Sequence, residues 1–311
     1  MTTPTSDVLI RATGLTKRHG SFTAVDGIDF SLNRGETFGF LGPNGAGKSS
    51  LMRMIGCVSP VTAGTLEVLG GDPGRDGSRI RARLGVVPQD DNLDDEITVR
   101  ENLLVFARYF GLSRRTARRR ADELLEFARL GDKAGASVQS LSGGMKRRLT
   151  IARSMINTPE ILLLDEPTTG LDPQARHVLW ERLYQLKQEG VTLILTTHYM
   201  DEAEQLCDRL VVMDHGTIVA EGSPRALIER HVTREVVELR FAAGRAVAPE
   251  DVDGLAERVE PLPDRLLLYT DDGEATLSKV HSEGLSPLTS LVRRATLEDV
   301  FLTLTGRTLV E

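Results

Sequence analysis

The chain has 311 residues and a mass of 34.1 kDa, which predicts about two domains at roughly 150 residues each and excludes a disulfide-stapled mini-protein. Hydrophobic residues make up 40% and charged residues 27%, a balance that excludes wholesale disorder and collagen-like repeats. With 38 Lys plus Arg against 45 Asp plus Glu, the net charge of −7 argues against a nonspecific nucleic-acid binder, and no nucleic-acid partner is expected.

In chain order, Val8–Leu15, Phe22–Val25 and Gly27–Leu32 read as short strands, and Asn33-Arg34-Gly35-Glu36 as a hairpin-like turn into a strand over Thr37–Leu41. From Phe38 the pattern becomes apolar strand, glycine-rich loop, helix over Ser50–Ile55, the grammar of a parallel sheet covered by helices. Between Thr98 and Ile156 apolar positions recur at helical spacing, as in Leu103, Leu104, Phe106, Ala107 and Phe110, which predicts a helical insert. Thr98 and Glu101 form a capping-box pattern at its first helix. The dense group Arg114, Arg115, Arg118, Arg119 and Arg120 reads as a solvated helix face. Ile161–Leu164, Leu193–Thr196, Arg209–Met213 and Thr217–Ala220 return to strand. This core ends near Ser223-Pro224.

Beyond it, Val236–Phe241 and Arg265–Tyr269 read as strands, Glu274–His281 and Leu297–Leu304 as helices, and Val247–Gly254 as a loop, giving a smaller α+β domain. Apolar runs such as Val191–Leu195 fall far short of the ~20 residues that cross a bilayer. Residues 1–10 lack the pattern of a signal peptide, so the chain is expected to stay in the cytosol. Cys57 and Cys207 read as buried free thiols.

Gly42-Pro43-Asn44-Gly45-Ala46-Gly47-Lys48-Ser49 matches G-x-x-x-x-G-K-[ST] between a predicted strand and a predicted helix. Glycines let successive backbone N–H groups turn inward around an anion, and the helix N-terminus adds positive dipole. Lys48 supplies a charge, and the Ser49 hydroxyl can ligate Mg²⁺. The ligand implied is a nucleoside triphosphate. Ile161-Leu162-Leu163-Leu164-Asp165-Glu166 supplies the complement, a buried strand ending in two acids. Asp165 can reach Mg²⁺ through water, and Glu166 can accept a proton from an attacking water.

Leu141-Ser142-Gly143-Gly144-Met145 resembles the signature motif of ABC ATPases, and the order P-loop, Gln89, signature, Asp165-Glu166, Gly170-Leu171-Asp172, His198 is similar to that family's full set. The resemblance covers roughly residues 7 to 225. It implies an ATP site shared by two protomers, each P-loop facing the partner's signature. The P-loop residues from Gly42 to Ser49, with Ser50 after them, would then bind ATP together with Ser142, Gly143 and Gly144. Ser142 would cap the Gly143–Ser154 helix and aim its positive end at the γ-phosphate. Gln89 resembles the glutamine that touches Mg²⁺ and water and links the core to the helical insert. Asp172 resembles an aspartate that reaches across the dimer, and by its own sequence it reads as an N-cap before Pro173. His198 resembles the switch histidine that contacts the γ-phosphate. Two positions depart from the family pattern: His19 stands where an aromatic usually stacks on adenine, and Met145 where many members have Gln.

A closer resemblance runs through Val99–Leu103, Gly143–Arg148, Asp165–Pro173 and Leu297–Gly306 to the ATPase subunits of ABC-2 type exporters, among them nodulation-type lipo-oligosaccharide and daunorubicin-resistance ATPases. It implies ATP and Mg²⁺ as cofactors, a homodimer, and a separate integral-membrane permease that places the subunit on the cytoplasmic face of the cell membrane. The fold expected is α/β, a P-loop ABC ATPase core with an antiparallel β subdomain and a helical insert, plus a small C-terminal α+β domain. The boundaries are 7–225 for the ATP-binding domain, with the insert at about 92–158, and 226–311 for the accessory domain. A soluble ABC ATPase acting on ribosomes or DNA is the alternative. One P-loop, two Cys and no extended heptads weigh against it.

Overall fold

The computed structural model describes residues 7–241, 252 and 254–306. The chain forms two compact units, residues 1–221 and 222–311. In the first, β1 (Val8–His19), β2 (Phe22–Asn33) and β4 (Ala63–Val68) make a three-stranded antiparallel sheet in the order β2-β1-β4. A six-stranded sheet is built from β3 (Thr37–Leu41), β5 (Leu84–Val87), β6 (Ile161–Asp165), β7 (Thr192–Thr197), β8 (Arg209–Asp214) and β9 (Thr217–Gly222), ordered β5-β6-β7-β3-β8-β9. Its pairs β5/β6, β6/β7, β7/β3 and β3/β8 are parallel. β3 is buried at every residue, as expected of a central parallel strand covered on both faces. Phe38 and Phe40 of β3 pack edge-on, with ring centroids 5.2 Å apart, and both meet Phe30 of β2, joining the two sheets through one apolar core.

Helices α1 (Lys48–Ile55) and α2 (Pro73–Arg81) belong to this core, as do α6 (Pro173–Gln188) and α7 (Met200–Leu206). The insert holds α3 (Val99–Tyr109), α4 (Arg114–Phe127) and α5 (Gly143–Ser154). The Thr98/Glu101 capping box forms at α3, Ser142 caps α5 through the Met145 N–H, and Asp172 caps α6 with Pro173 at its first position.

Four expectations need correction. The 33–36 turn is no hairpin: β2 and β3 lie in different sheets, because the apolar run of β3 is buried on both faces and its neighbours are the equally apolar β7 and β8. Phe22–Val25 and Gly27–Leu32 are one strand, which passes Gly27 at φ 63° beside register shifts in its pairing with β1. α1 begins at Lys48, two residues before the expected start, because the P-loop itself turns into the helix. Cys57 is only half-buried, whereas Cys207 is buried; both are free.

The second unit contains α8 (Pro224–His231) and a four-stranded antiparallel sheet. The sheet consists of β10 (Glu235–Arg240), β11 (Arg258–Leu262), β12 (Arg265–Thr270) and β13 (Thr289–Arg294), in the order β11-β12-β10-β13. α9 (Gly273–Ser282) packs on one face with Val237, Leu239, Leu268 and Val280. α10 (Leu297–Thr305) and α8 cover the other, with Val236, Leu267, Tyr269 and Leu302. Strands β11 and β13 carry too little apolar alternation to stand out in the sequence. The loop read over Val247–Gly254 lies outside the described residues except at Val252 and Gly254. Among the described residues no helix is long and apolar enough to cross a membrane.

Candidate functional site

Strand register assembles the site. Asp165 lies opposite Thr196, Leu41 opposite Thr197 and Val87 opposite Leu164, so the C-terminal ends of β5, β6, β7 and β3 are level. The residues just beyond those ends are Gln89, Glu166, His198 and the loop Gly42–Gly47, and ligands of parallel sheets bind at this edge.

In the loop, Gly47 has φ 101°, and a Cβ there would overlap the Ala24 carbonyl oxygen, so neither backbone nor space admits another residue. Pro43, Asn44, Gly45 and Ala46 complete the turn, closed by an Ala46 N–H bond to the Pro43 carbonyl at 3.2 Å. Ser49 is exposed at the start of α1, and Ser50 Oγ sits 3.3 Å from His19 Nε2, which places His19 beside the loop. Lys48 is buried and donates to the Gly42 carbonyl at 2.7 Å and the Pro43 carbonyl at 3.0 Å. Burial pushes its ammonium below the usual lysine range, against the pull of Glu166 and Asp165.

Glu166 is the hub. Its Oε1 lies 3.7 Å from Lys48 Nζ, and its Oε2 accepts from Thr169 Oγ1 at 3.1 Å and from Gln89 Nε2 at 3.4 Å. His198 Nδ1 stands 3.4 Å from the same oxygen, but out of hydrogen-bonding line. Glu166 takes φ 45°, a left-handed conformation that costs a non-glycine residue on the order of 1–3 kcal/mol. Its N–H is anchored by both the carbonyl and the hydroxyl of Thr196, each at 3.1 Å, and that hydroxyl also donates to Asp165 Oδ1 at 2.5 Å. Asp165, Ser49 and Gln89 each carry a hard oxygen donor.

Arg147, whose role its position in the Gly143–Arg148 run does not reveal, binds this constellation together. Buried in α5, it donates from Nε to the Pro167 carbonyl and from Nη1 to those of Pro88 and Gln89. Nη2 serves the carbonyls of Asp165 and Glu166, and Asp91 lies 3.5 Å from Nη1. Glu202 and Tyr199 also carry no sequence signal. Glu202 is fully buried and accepts from Trp180 Nε1 at 3.4 Å; burial raises its carboxyl, against the nearby Thr197, Thr168 and Arg176. The Tyr199 ring lies 4.1 Å from that of His198, and the Arg176 guanidinium lies 4.4 Å from the Tyr199 ring centroid.

Ser142 and Gly143 are exposed at the N-terminus of α5, while a Cβ on Gly144 would come within 2.8 Å of the Ala175 Cβ, so glycine lets α5 approach the first turn of α6. Among the described residues no hydrogen bond or ion pair joins Ser142, Gly143, Gly144 or Asp172 to the phosphate loop of the same chain.

Residues 25–169 match the family model described as ABC transporter, and residues 245–306 match that described as Nodulation factor export protein NodI, C-terminal domain. The chain is 51% identical over 302 residues to a Nod factor export ATP-binding protein I from Rhizobium sp. (strain N33), covering 97% of this chain and 98% of that one. The chain belongs to the ABC transporter ATP-binding family. A second relative of the same name, from Ralstonia nicotianae, is 51% identical over 310 residues, covering 97% and 95% of the two chains. Among solved ABC ATPases, the cbiO1 subunit of a transporter complex from Clostridium perfringens superposes with a TM-score of 0.67 at 28% identity, over 72% of this chain and 92% of that one. A dimeric post-hydrolysis ATP-binding cassette bound to ADP and Pi matches with a TM-score of 0.63 at 28% identity, over 69% and 98%. This ABC ATPase is thus a nucleotide-binding, ATP-hydrolysing transport subunit with an α/β core.

Proposed function

We propose that the chain powers export of a lipo-oligosaccharide, drug or related compound through a separate ABC-2 type permease, docked on the cytoplasmic face of the membrane as a homodimer. The observation that carries the ATPase mechanism is the convergence of Lys48, Gln89 and His198 on the Glu166 carboxylate.

Lys48 leaves the Gly42 and Pro43 carbonyls to neutralise the β- and γ-phosphates, and the loop from Gly42 to Gly47 offers its N–H groups to their oxygens. His19 and Ser50 flank the nucleotide. The donor set Ser49, Asp165 and Gln89 suits Mg²⁺, which prefers a few oxygen ligands and keeps waters and phosphate oxygens for the rest. When bound, that ion neutralises charge developing on the transferred phosphoryl group. Glu166 accepts the proton of the attacking water, and His198 hydrogen-bonds the γ-phosphate. From the second protomer, Ser142, Gly143 and Gly144 present a helix N-terminus to that phosphate, and Asp172 reaches across the interface. Residues 7–225 form the ATP-binding domain, with residues 92–158 as its helical insert, and 226–311 an accessory domain. The exposed acidic residues Asp94, Asp95 and Glu96, at the start of the insert, face the permease.

The relatives' names support the exporter reading, and the match of residues 245–306 supports the nodulation-type branch. Copurification with a candidate ABC-2 type permease, followed by export assays with wild type and Lys48→Ala, tests it. Export that survives the substitution, or a permease that does not retain the subunit, sinks the proposal.

A further inference from the structure

The turn between α3 and α4 carries a charge distribution that the nucleotide site does not use. Arg114, Arg115, Arg118 and Arg119 are exposed on the first two turns of α4, within a sector of about 140° at 100° per residue. Arg119 reaches Glu123 at 3.7 Å. Among the described residues no hydrogen bond or ion pair engages the guanidinium of Arg114, Arg115 or Arg118, nor that of the exposed Arg108 at the end of α3.

Helix physics opposes this arrangement. Arg114 and Arg118, and likewise Arg115 and Arg119, are like charges four residues apart, and the first turn of any helix already bears about half a positive charge. Ser113 caps that turn, and it contains no acidic residue. On a chain of net charge −7 the patch is a local reversal of sign. Beside it Tyr109 is 79% exposed, its ring edge-on to Phe106 at 6.0 Å, an amphipathic ring of the kind that sits at headgroup depth.

We propose that the α3–α4 turn docks on anionic phospholipid headgroups, with Arg108, Arg114, Arg115 and Arg118 on the phosphates and Tyr109 in the interface. Charge complementarity selects this occupant. A guanidinium fork matches phosphate geometry, and a bilayer presents a continuous sheet of phosphates to a row of side chains spread along two helical turns. The proposal rests on the exporter reading, which brings the subunit to a membrane.

The test is flotation of the full chain with phosphatidylcholine vesicles and with vesicles containing about 30% phosphatidylglycerol, at low and high salt, with ATPase rates measured in parallel. The triple variant Arg114→Gln, Arg115→Gln, Arg118→Gln is compared with Arg75→Gln, Arg79→Gln, Arg225→Gln, which removes equal charge from arginines already paired with carboxylates. Wild type is expected to prefer the anionic vesicles, the first triple variant to lose on the order of 10²-fold in partitioning at unchanged ATPase rate, and the second to behave as wild type. Because the whole chain is negative, any such preference reports a local patch. Equal partitioning of wild type on both vesicles, equal losses in both variants, or retention of a labelled oligonucleotide in place of vesicles overturns the proposal. An active ATPase that ignores lipid leaves the exporter reading standing, whereas an inactive chain brings down both.

Discussion

The Arg147 guanidinium donates through Nη2 to the main-chain carbonyl of Glu166 at 3.2 Å, tying α5 to a residue whose backbone is held in the left-handed region. With the bonds to Pro88, Gln89, Asp165 and Pro167, every N–H of that side chain is spent on main chain around the site. A lysine ammonium is a point donor and cannot reproduce the fork. Arg147→Lys is expected to cost about 2–4 kcal/mol of stability and to lower kcat at least tenfold with a smaller change in KM for ATP. Thermal melts and steady-state kinetics check this; a wild-type kcat in a folded variant refutes the positioning role.

Glu166→Gln keeps the side-chain shape and its contacts with Thr169 and His198 but cannot take a proton. Hydrolysis is expected to fall by roughly 10²–10⁴-fold while ATP still binds. ATP trapped in the site then holds two protomers together, which light scattering with and without nucleotide detects. A variant that hydrolyses at the wild-type rate shows that another group activates the water.

Ser142 is exposed and bound to nothing in its own chain's phosphate loop, the arrangement expected if it completes a partner's site. Ser142→Arg replaces the cap of α5 with a bulky cation. Excess variant mixed with wild type should suppress turnover more steeply than dilution alone, once mixed dimers are shown to form. Activity strictly proportional to the wild-type fraction speaks against a shared site.

In the C-terminal unit Asp299 is almost fully buried, accepting from Arg293 at 2.7 and 2.9 Å, from the Thr296 N–H at 2.8 Å and from Tyr269 Oη at 3.1 Å. Burial alone would raise its carboxyl, but these donors hold it below the ordinary value of 3.8. A depressed acid stabilises the fold above its unfolded pKa and loses that contribution as pH falls through the folded one. Asp299→Asn should therefore cost about 2–4 kcal/mol at pH 7, and the deficit should shrink towards pH 3. Denaturant unfolding at the two pH values, followed by far-UV circular dichroism, measures it; a deficit independent of pH means that the pair contributes no charge-dependent stability.

The G-x-x-x-x-G-K-[ST] loop, the apolar strand ending in Asp165-Glu166, the Thr98/Glu101 box and the Asp172 cap were legible in the sequence because each depends on residue types at short, fixed spacing. Local chemistry decides them. What residues 33–36 connect was not legible, because a turn looks the same whether its strands pair or part into two sheets, and only the burial of β3 between β7 and β8 settles the matter. The same holds for Arg147, which reads as one more basic residue after the signature until packing buries it against five carbonyls distant in sequence. The left-handed bend at Glu166 is likewise invisible in the string, since nothing local favours it. Tertiary structure decided it, through the Thr196 anchor and the level ends of β6 and β7 that bring the two residues together.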